Sequence, residues 1–223
     1  MKNRKALVIN ILFIVYSLFA VSFFLIFPHH SWEKLTGFDF LPLGMIWNIF
    51  LALVAFDAIV LMSKVRRRSL RVISGGVAFL FYPNTYYMVT DAKHIGDWFP
   101  SPKHLDFANA QQTIYLLLLV SGIIFGILLG IETMLHFLRQ FFIKRPFYQW
   151  LIILSMSFLS SVAIYVGRVE TLRLNSWDIF LRPIYTVSKL FEVVQPSHFV
   201  FLASFTIFQL FMIGLGMALA IKD

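Results

Sequence analysis

The chain alternates long apolar stretches with short polar ones, and each apolar stretch is about as long as a membrane-crossing helix. A helix rises 1.5 Å per residue, so about twenty apolar residues cross a hydrocarbon core of roughly 30 Å. Six stretches approach this length, at 6–27, 43–62, 72–89, 113–135, 149–167 and 199–221. The pattern predicts an all-α integral membrane protein with six transmembrane helices.

Two places depart from this simple alternation. The third stretch carries Pro83 and Asn84 near its end, which predicts a distorted helix there because proline donates no backbone hydrogen bond. Between residues 168 and 198, apolar side chains recur at alternating spacings of four and three, with charged residues between them. This spacing predicts a short amphipathic helix, and its length suits the outer membrane interface better than a crossing.

Charge gives these helices a direction. Basic residues cluster at the N-terminus and at 64–71 and 139–145, in alternate short loops. This positive-inside distribution predicts cytoplasmic N- and C-termini and places 28–42, 90–112 and 168–198 outside. It also accounts for the net charge of +8 without nucleic acid as a partner. The first apolar run continues to Phe27, which favours an uncleaved helix over a signal peptide.

Composition leaves little chain for anything outside the bilayer. The 223 residues are 59% hydrophobic and 13% charged, with a mean hydropathy of +0.80. We therefore expect a single polytopic membrane domain over 1–223, with membrane lipid as its immediate partner. Cysteine is absent, which excludes disulfides, thiolate metal ligands and cysteine nucleophiles, and no motif indicates a cofactor.

Small residues in the fourth and fifth stretches predict close helix packing. Gly122, Gly126 and Gly130 recur every fourth residue and form a groove for another backbone. The fifth stretch offers Ser155, Ser160, Ser161 and Ala163 as small partners. We expect these two helices to pack against each other.

The predicted topology gathers polar residues at the outer helix ends. Two blocks, one after the third stretch and one after the fifth, supply Asn84, Asp91, His94, Arg168, Asn175 and Asp178, and the second stretch adds Asn48 beside Trp47. Arginine binds carboxylates and phosphates through paired hydrogen bonds. Arg168 is therefore expected either to hold Asp91 or Asp178 structurally or to bind an anionic group.

These blocks also carry a family resemblance. The segments at 47–52, 81–84 with 90–94, and 167–168 with 175–178 together resemble the bacterial membrane family named domain of unknown function 1361. The resemblance covers roughly residues 43–183, and it implies a multi-pass protein of a bacterial cytoplasmic membrane. The family brings no established activity. A proline commonly stands in it where this chain has Ala55 and Tyr86.

Several chemical roles are open for the outer residues. Asp91, His94 and Asp178 are the catalytic candidates, and the ligand-binding candidates are Asn48, Asn84, Arg168, Asn175 and Trp177. The alternative is a polar network that only pins loops to helix ends. Asp91 and Asp178 could divide acid and base roles. A metal site could use Asp91 and His94 with His104 or Asp178, but their spacing matches no zinc motif, so no metal is predicted.

Three functional hypotheses follow. The first is recognition or modification of an anionic lipid-linked or extracytoplasmic group at the outer site. The second is a small-solute or proton-coupled transporter, in which Asp57 and Glu132 on the inner side would join the path. Interfacial pairing of these two with Lys64 and Arg139 is the simpler interpretation. The third is a subunit that stabilises a membrane protein partner without chemistry of its own.

Overall fold

All secondary structure in the described residues is helical. The computed structural model describes residues 2–26, 41–96, 107–142, 145–168, 174 and 178–220. The α-helices are α1 Lys2–Ile26, α2 Leu41–Lys64, α3 Arg68–Phe81, α4 Pro83–Tyr87, α5 Ala110–Phe141, α6 Pro146–Arg168, α7 Asp178–Leu181, α8 Pro183–Val193 and α9 Phe199–Ala220. Short 3₁₀ segments run over Met88–Gly96 and Pro196–His198. The prediction of an all-α protein is confirmed.

Five helices, α1, α2, α5, α6 and α9, are long and apolar enough to cross a membrane. The third predicted crossing is instead divided into α3, α4 and the 3₁₀ segment Met88–Gly96. The 14 residues of α3 rise only about 21 Å, which is short of the hydrocarbon core. This stretch is therefore a broken helix rather than a regular span.

The break occurs at the proline that the sequence marked. Helix α3 ends at Phe81, and Pro83 begins α4. The Asn84 side chain donates to the Phe81 carbonyl at 3.1 Å, and the Thr85 hydroxyl donates to the Tyr82 carbonyl at 2.7 Å. Side chains thus satisfy backbone carbonyls at the break, as an interrupted helix in a bilayer requires.

The break sends α4 into the glycine groove of α5. A Cβ at Gly126 would lie 2.6 Å from the Thr85 carbonyl oxygen, and one at Gly130 would lie 2.6 Å from the Tyr86 ring. The prediction that this groove receives the 149–167 helix was wrong. Only a broken α3–α4 connection brings Thr85 and Tyr86 against α5, and the residue spacing of the groove does not reveal that partner.

The small residues of α6 pack on α9 instead, through a polar seam. The Gln209 amide donates to the Ser157 carbonyl at 3.3 Å and to the Ser161 hydroxyl at 3.1 Å. The Thr206 hydroxyl also lies 3.1 Å from the Ser161 hydroxyl. All four side chains are buried. In lipid such hydrogen bonds and close contacts take the place of a hydrophobic drive between helices.

The first and last helices meet the other helices at one end of the bundle. Lys5 in the first turns of α1 pairs with Glu132 of α5 at 2.6 Å. Gly216, near the end of α9, packs on Ile131 of α5. The start of α1 and the end of α9 therefore lie at the same end. Arg168 is the last residue of α6. It lies at the opposite end of the bundle, because α6 and α9 pack as antiparallel neighbours.

Asp57 and Glu132 have partners that were not expected, while the expected electrostatic interaction of Asp57 with Lys64 is also present. Glu132 contacts Lys5 rather than Arg139. The Asn10 amide donates to the Asp57 carboxylate at 3.4 Å. Both Lys5 and Asn10 come from α1. The spacing of residues within one helix does not predict that α1 packs against α2 and α5.

The predicted short helix of the 168–198 segment is present as α8. Its Thr186 and Val193 are buried, and Val193 packs with α6. Ile184 and Phe191 are 86% and 76% exposed on its other side. An apolar surface of this kind, on a helix of 11 residues, suits a membrane interface.

Candidate functional site

Arg168, the last residue of α6, is held by three neighbouring residues, Asp91, Thr90 and Tyr87. Its guanidinium pairs with the Asp91 carboxylate and donates to the Thr90 hydroxyl. A further contact, of 3.4 Å, reaches the Tyr87 carbonyl. The guanidinium carbon lies 3.9 Å from the centre of the Tyr87 ring, a cation–π distance. The arginine therefore ties the end of α6 to the 3₁₀ segment that follows α4.

Asp91 is the buried partner of this pair, with 3% of its surface exposed. One carboxylate oxygen faces Arg168, and the other accepts a hydrogen bond from the Asn48 amide at 3.3 Å. A buried carboxylate requires such partners, because removing an unpaired charge from water is costly. Asn48, Asp91 and Arg168 thus lie together, and Arg168 pairs with one of the two carboxylates that the sequence offered as its partners.

Beside this cluster lies a cavity of about 200 Å³. Its polar wall residues are Asn48, Asn84, Tyr87 and Thr186, and Trp47 also lines it. The Tyr87 hydroxyl is occupied, since it donates to the Gly167 carbonyl at 3.1 Å. We call this space the polar cavity. It is bounded by α2, α4, α6 and α8, so each of these elements positions part of its wall.

Thr186 is the wall residue that sequence reasoning missed. Its side chain is buried, and its hydroxyl has no hydrogen-bond partner among the described residues. A buried hydroxyl without a partner is unfavourable, so a polar group in the cavity would stabilise it. The residue occupies the inward face of α8, where amphipathic spacing gives no sign that a threonine does more than pack.

The other predicted site residues either do not line the polar cavity or have side chains outside the described residues. Asp178 begins α7 and does not line the polar cavity. His94 belongs to the 3₁₀ segment, but its side chain lies outside the described residues, as do Asn175 and Trp177. Within the described ranges, no three His, Asp or Glu side chains group at metal-binding distance.

Two residues of the cluster, Tyr87 and Thr90, also escaped the sequence analysis. Tyr87 lies about one turn before Asp91, so that both can face the same neighbour, and Thr90 directly precedes Asp91. That spacing was the available signal. It is weak alone, because tyrosine and threonine are common at membrane interfaces without any site.

Comparison with known proteins supports the expected relationship. No curated protein and no solved structure matches the chain at a significant level. The family described as "Protein of unknown function (DUF1361)" matches residues 47–212. This range extends further toward the C-terminus than the 43–183 of the predicted resemblance, and it contains the Arg168 cluster and every wall residue of the polar cavity. The chain therefore belongs to the DUF1361 family.

Proposed function

We propose that this is a multi-pass protein of a bacterial cytoplasmic membrane that binds the polar group of a lipid-linked or extracytoplasmic molecule in the polar cavity. Five apolar helices and the broken α3–α4 stretch would make six crossings. The start of α1 and the end of α9 lie at the same end of the bundle. The positive-inside rule then favours a cytoplasmic location for that end. The polar cavity then faces outward.

The observation that carries the proposal is the polar part of the wall of this cavity, where Asn48 and Asn84 lie beside Thr186, whose buried hydroxyl has no partner among the described residues. Asn48 and Asn84 each have an amide in the same wall, and an amide offers both donors and an acceptor. One N–H of each amide is used, by Asp91 and by the Phe81 carbonyl. The wall nevertheless brings polar side chains of α2, α4 and α8 to a group with hydroxyl or carbonyl oxygens. Small-molecule sites commonly have a few such polar groups in a mainly apolar cavity.

Arg168 positions its neighbours beside the cavity more than it offers a free charge to a ligand. Asp91 already pairs with its guanidinium, so an anion would bind Arg168 only by displacing a buried carboxylate. We accordingly infer that the ligand is recognised chiefly by hydrogen bonds. An anionic group would gain less binding free energy from the paired Arg168 than from an exposed arginine. In this proposal Asp91 and Arg168 are positioning residues.

The test replaces Thr186 by valine, which keeps the shape and removes the hydroxyl. Lipids that remain bound to the protein purified in a mild detergent are quantified by mass spectrometry and compared with the lipids of the source membrane. We expect one lipid or amphiphile class to be enriched in the wild type. Loss of one neutral hydrogen bond should lower that enrichment about 2- to 10-fold in Thr186→Val.

Thr206→Val is the matched control. The Thr206 hydroxyl donates to the Leu202 carbonyl at 2.6 Å and lies away from the cavity. This variant should lose thermal stability while its bound-lipid profile stays that of the wild type. Thr186→Val should show the reverse. A wild type without any enriched class, or equal enrichment in Thr186→Val and wild type, would contradict the proposal.

A further inference from the structure

Two apolar cavities continue the polar cavity along α6. The nearer one, of about 390 Å³, shares Leu80, Pro83 and Ala163 with the polar cavity. The farther one, of about 460 Å³, shares Phe79, Tyr82 and Leu159 with the nearer one. Each volume lies within the roughly 300–1,000 Å³ of ligand pockets. The three spaces form a row between the α3–α4 stretch and α6.

The row has an apolar lining and opens sideways. Aliphatic and aromatic side chains form most of both apolar cavities. Phe79, Leu151 and Leu159 stand at the wall of the farther cavity and are each about half exposed. Helix α3 packs mainly on α2, which leaves the side toward α6 open. In a membrane-spanning bundle, such an opening faces lipid rather than water.

The length of the apolar part suits one leaflet of a bilayer. Along α6 it runs from Leu151 to Ala163, which corresponds to about 18 Å of helix rise. Half of the hydrocarbon core is about 15 Å. A chain that lies in this groove, with its head at the polar cavity, would therefore extend past the middle of α6 toward Leu151.

We propose that the groove between α3 and α6 holds one acyl chain of a membrane lipid whose polar group occupies the polar cavity. This rests on the proposed function and narrows its ligand from any polar molecule to a lipid that enters from the bilayer. Helix α8 covers the junction, because Leu190 lines both the polar cavity and the nearer apolar cavity.

The experiment uses the native lipids as the probe. Cells that express the full chain are fed a fatty acid with a diazirine near its methyl end, which enters their acyl lipids, and the membranes are then irradiated. Crosslinked peptides are mapped by mass spectrometry. We expect labelling at Phe79, Leu151 and Leu159 to exceed, several-fold, that at Ile207 and Phe211, which are exposed on α9.

Ser155→Phe fills the groove, since Ser155 lines the farther cavity and is itself exposed. It should reduce the groove labelling several-fold. Ser204→Phe places the same side chain on the exposed surface of α9 and should leave the labelling unchanged. Uniform labelling of α6 and α9, or groove labelling that persists in Ser155→Phe, would overturn the proposal.

Thr186→Val in the same experiment separates the two proposals. If groove labelling falls in Ser155→Phe and also in Thr186→Val, head and chain are bound together. Groove labelling that is sensitive only to Ser155→Phe would keep the chain site and contradict recognition of the head. Enrichment that depends on Thr186 without labelling of the groove would keep the proposed function and overturn the acyl-chain site.

Discussion

At the residue scale, Arg168 connects the end of α6 to the segment that follows α4 through its partners. It sits in the last turn of α6, where a positive charge also interacts favourably with the helix dipole. Its side chain is 19% exposed, whereas that of Asp91 is 4% exposed. The carboxylate is therefore the member of the pair that depends on the other.

This asymmetry gives a prediction for the pair. Arg168→Met should destabilise the protein by on the order of 3 kcal/mol, because it leaves the Asp91 charge buried and unpaired. Adding Asp91→Asn should recover much of that loss, since the stranded charge is removed. Thermal unfolding of the purified wild type, both single variants and the double variant measures the coupling. Additive losses would show that the two residues do not depend on each other.

Sequence reasoning reached part of this site and no further. Arg168, Asp91 and Asn48 could be predicted to converge because each is a polar residue at a helix end on the same side. Thr186 could not, because its importance arises from a missing partner, which only three-dimensional packing reveals. The residues Asn175 and Trp177 lie outside the described chain and stay predictions.

At the element scale, the interrupted α3–α4 stretch determines how the helices pack. Pro83 was readable as a break, and Asn84 and Thr85 as the residues that compensate for it. The direction that α4 takes after the break was not readable. It depends on the glycine groove of α5, which lies far away in sequence and accepts only a closely approaching backbone.

Gly126 should therefore tolerate no side chain. Gly126→Ala would push a Cβ against the Thr85 carbonyl, a backbone atom that cannot turn aside, and we expect a loss of about 1–3 kcal/mol. Gly76→Ala is the matched control, since a Cβ there meets nothing within 4 Å. It should raise stability by up to about 1 kcal/mol through helix propensity. Thermal unfolding of both variants tests this, and equal effects would contradict the packing.

At the scale of the whole molecule, the positions of α1 and α9 bear on the six crossings that we propose. The start of α1 and the end of α9 lie together, so the chain passes through the bundle an even number of times. The five regular spans were predicted from hydropathy alone, because length and apolar composition suffice for them. Hydropathy overestimated the regularity of the third, because it does not register the backbone hydrogen bond that Pro83 cannot donate within an apolar stretch.

The topology can be tested with introduced cysteines, because the native chain has none. Ser69→Cys lies at the start of α3 and Ser197→Cys just before α9, both at exposed positions. An impermeant maleimide added to intact cells should label Cys at 197 only, and permeabilised cells should be labelled at both positions. Labelling of both from outside would contradict the six crossings, and the reverse pattern would mean the opposite orientation.

The polar seam between α6 and α9 has a consequence for how α9 is seated. This helix is apolar all round, so lipid would accept any of its faces equally well. Hydrophobicity can thus insert α9 but cannot choose its rotation about its own axis. Thr206 and Gln209 make that choice, because only one angle lets them reach Ser157 and Ser161. Two side chains thereby set which surface of the last helix the protein shows to the bilayer.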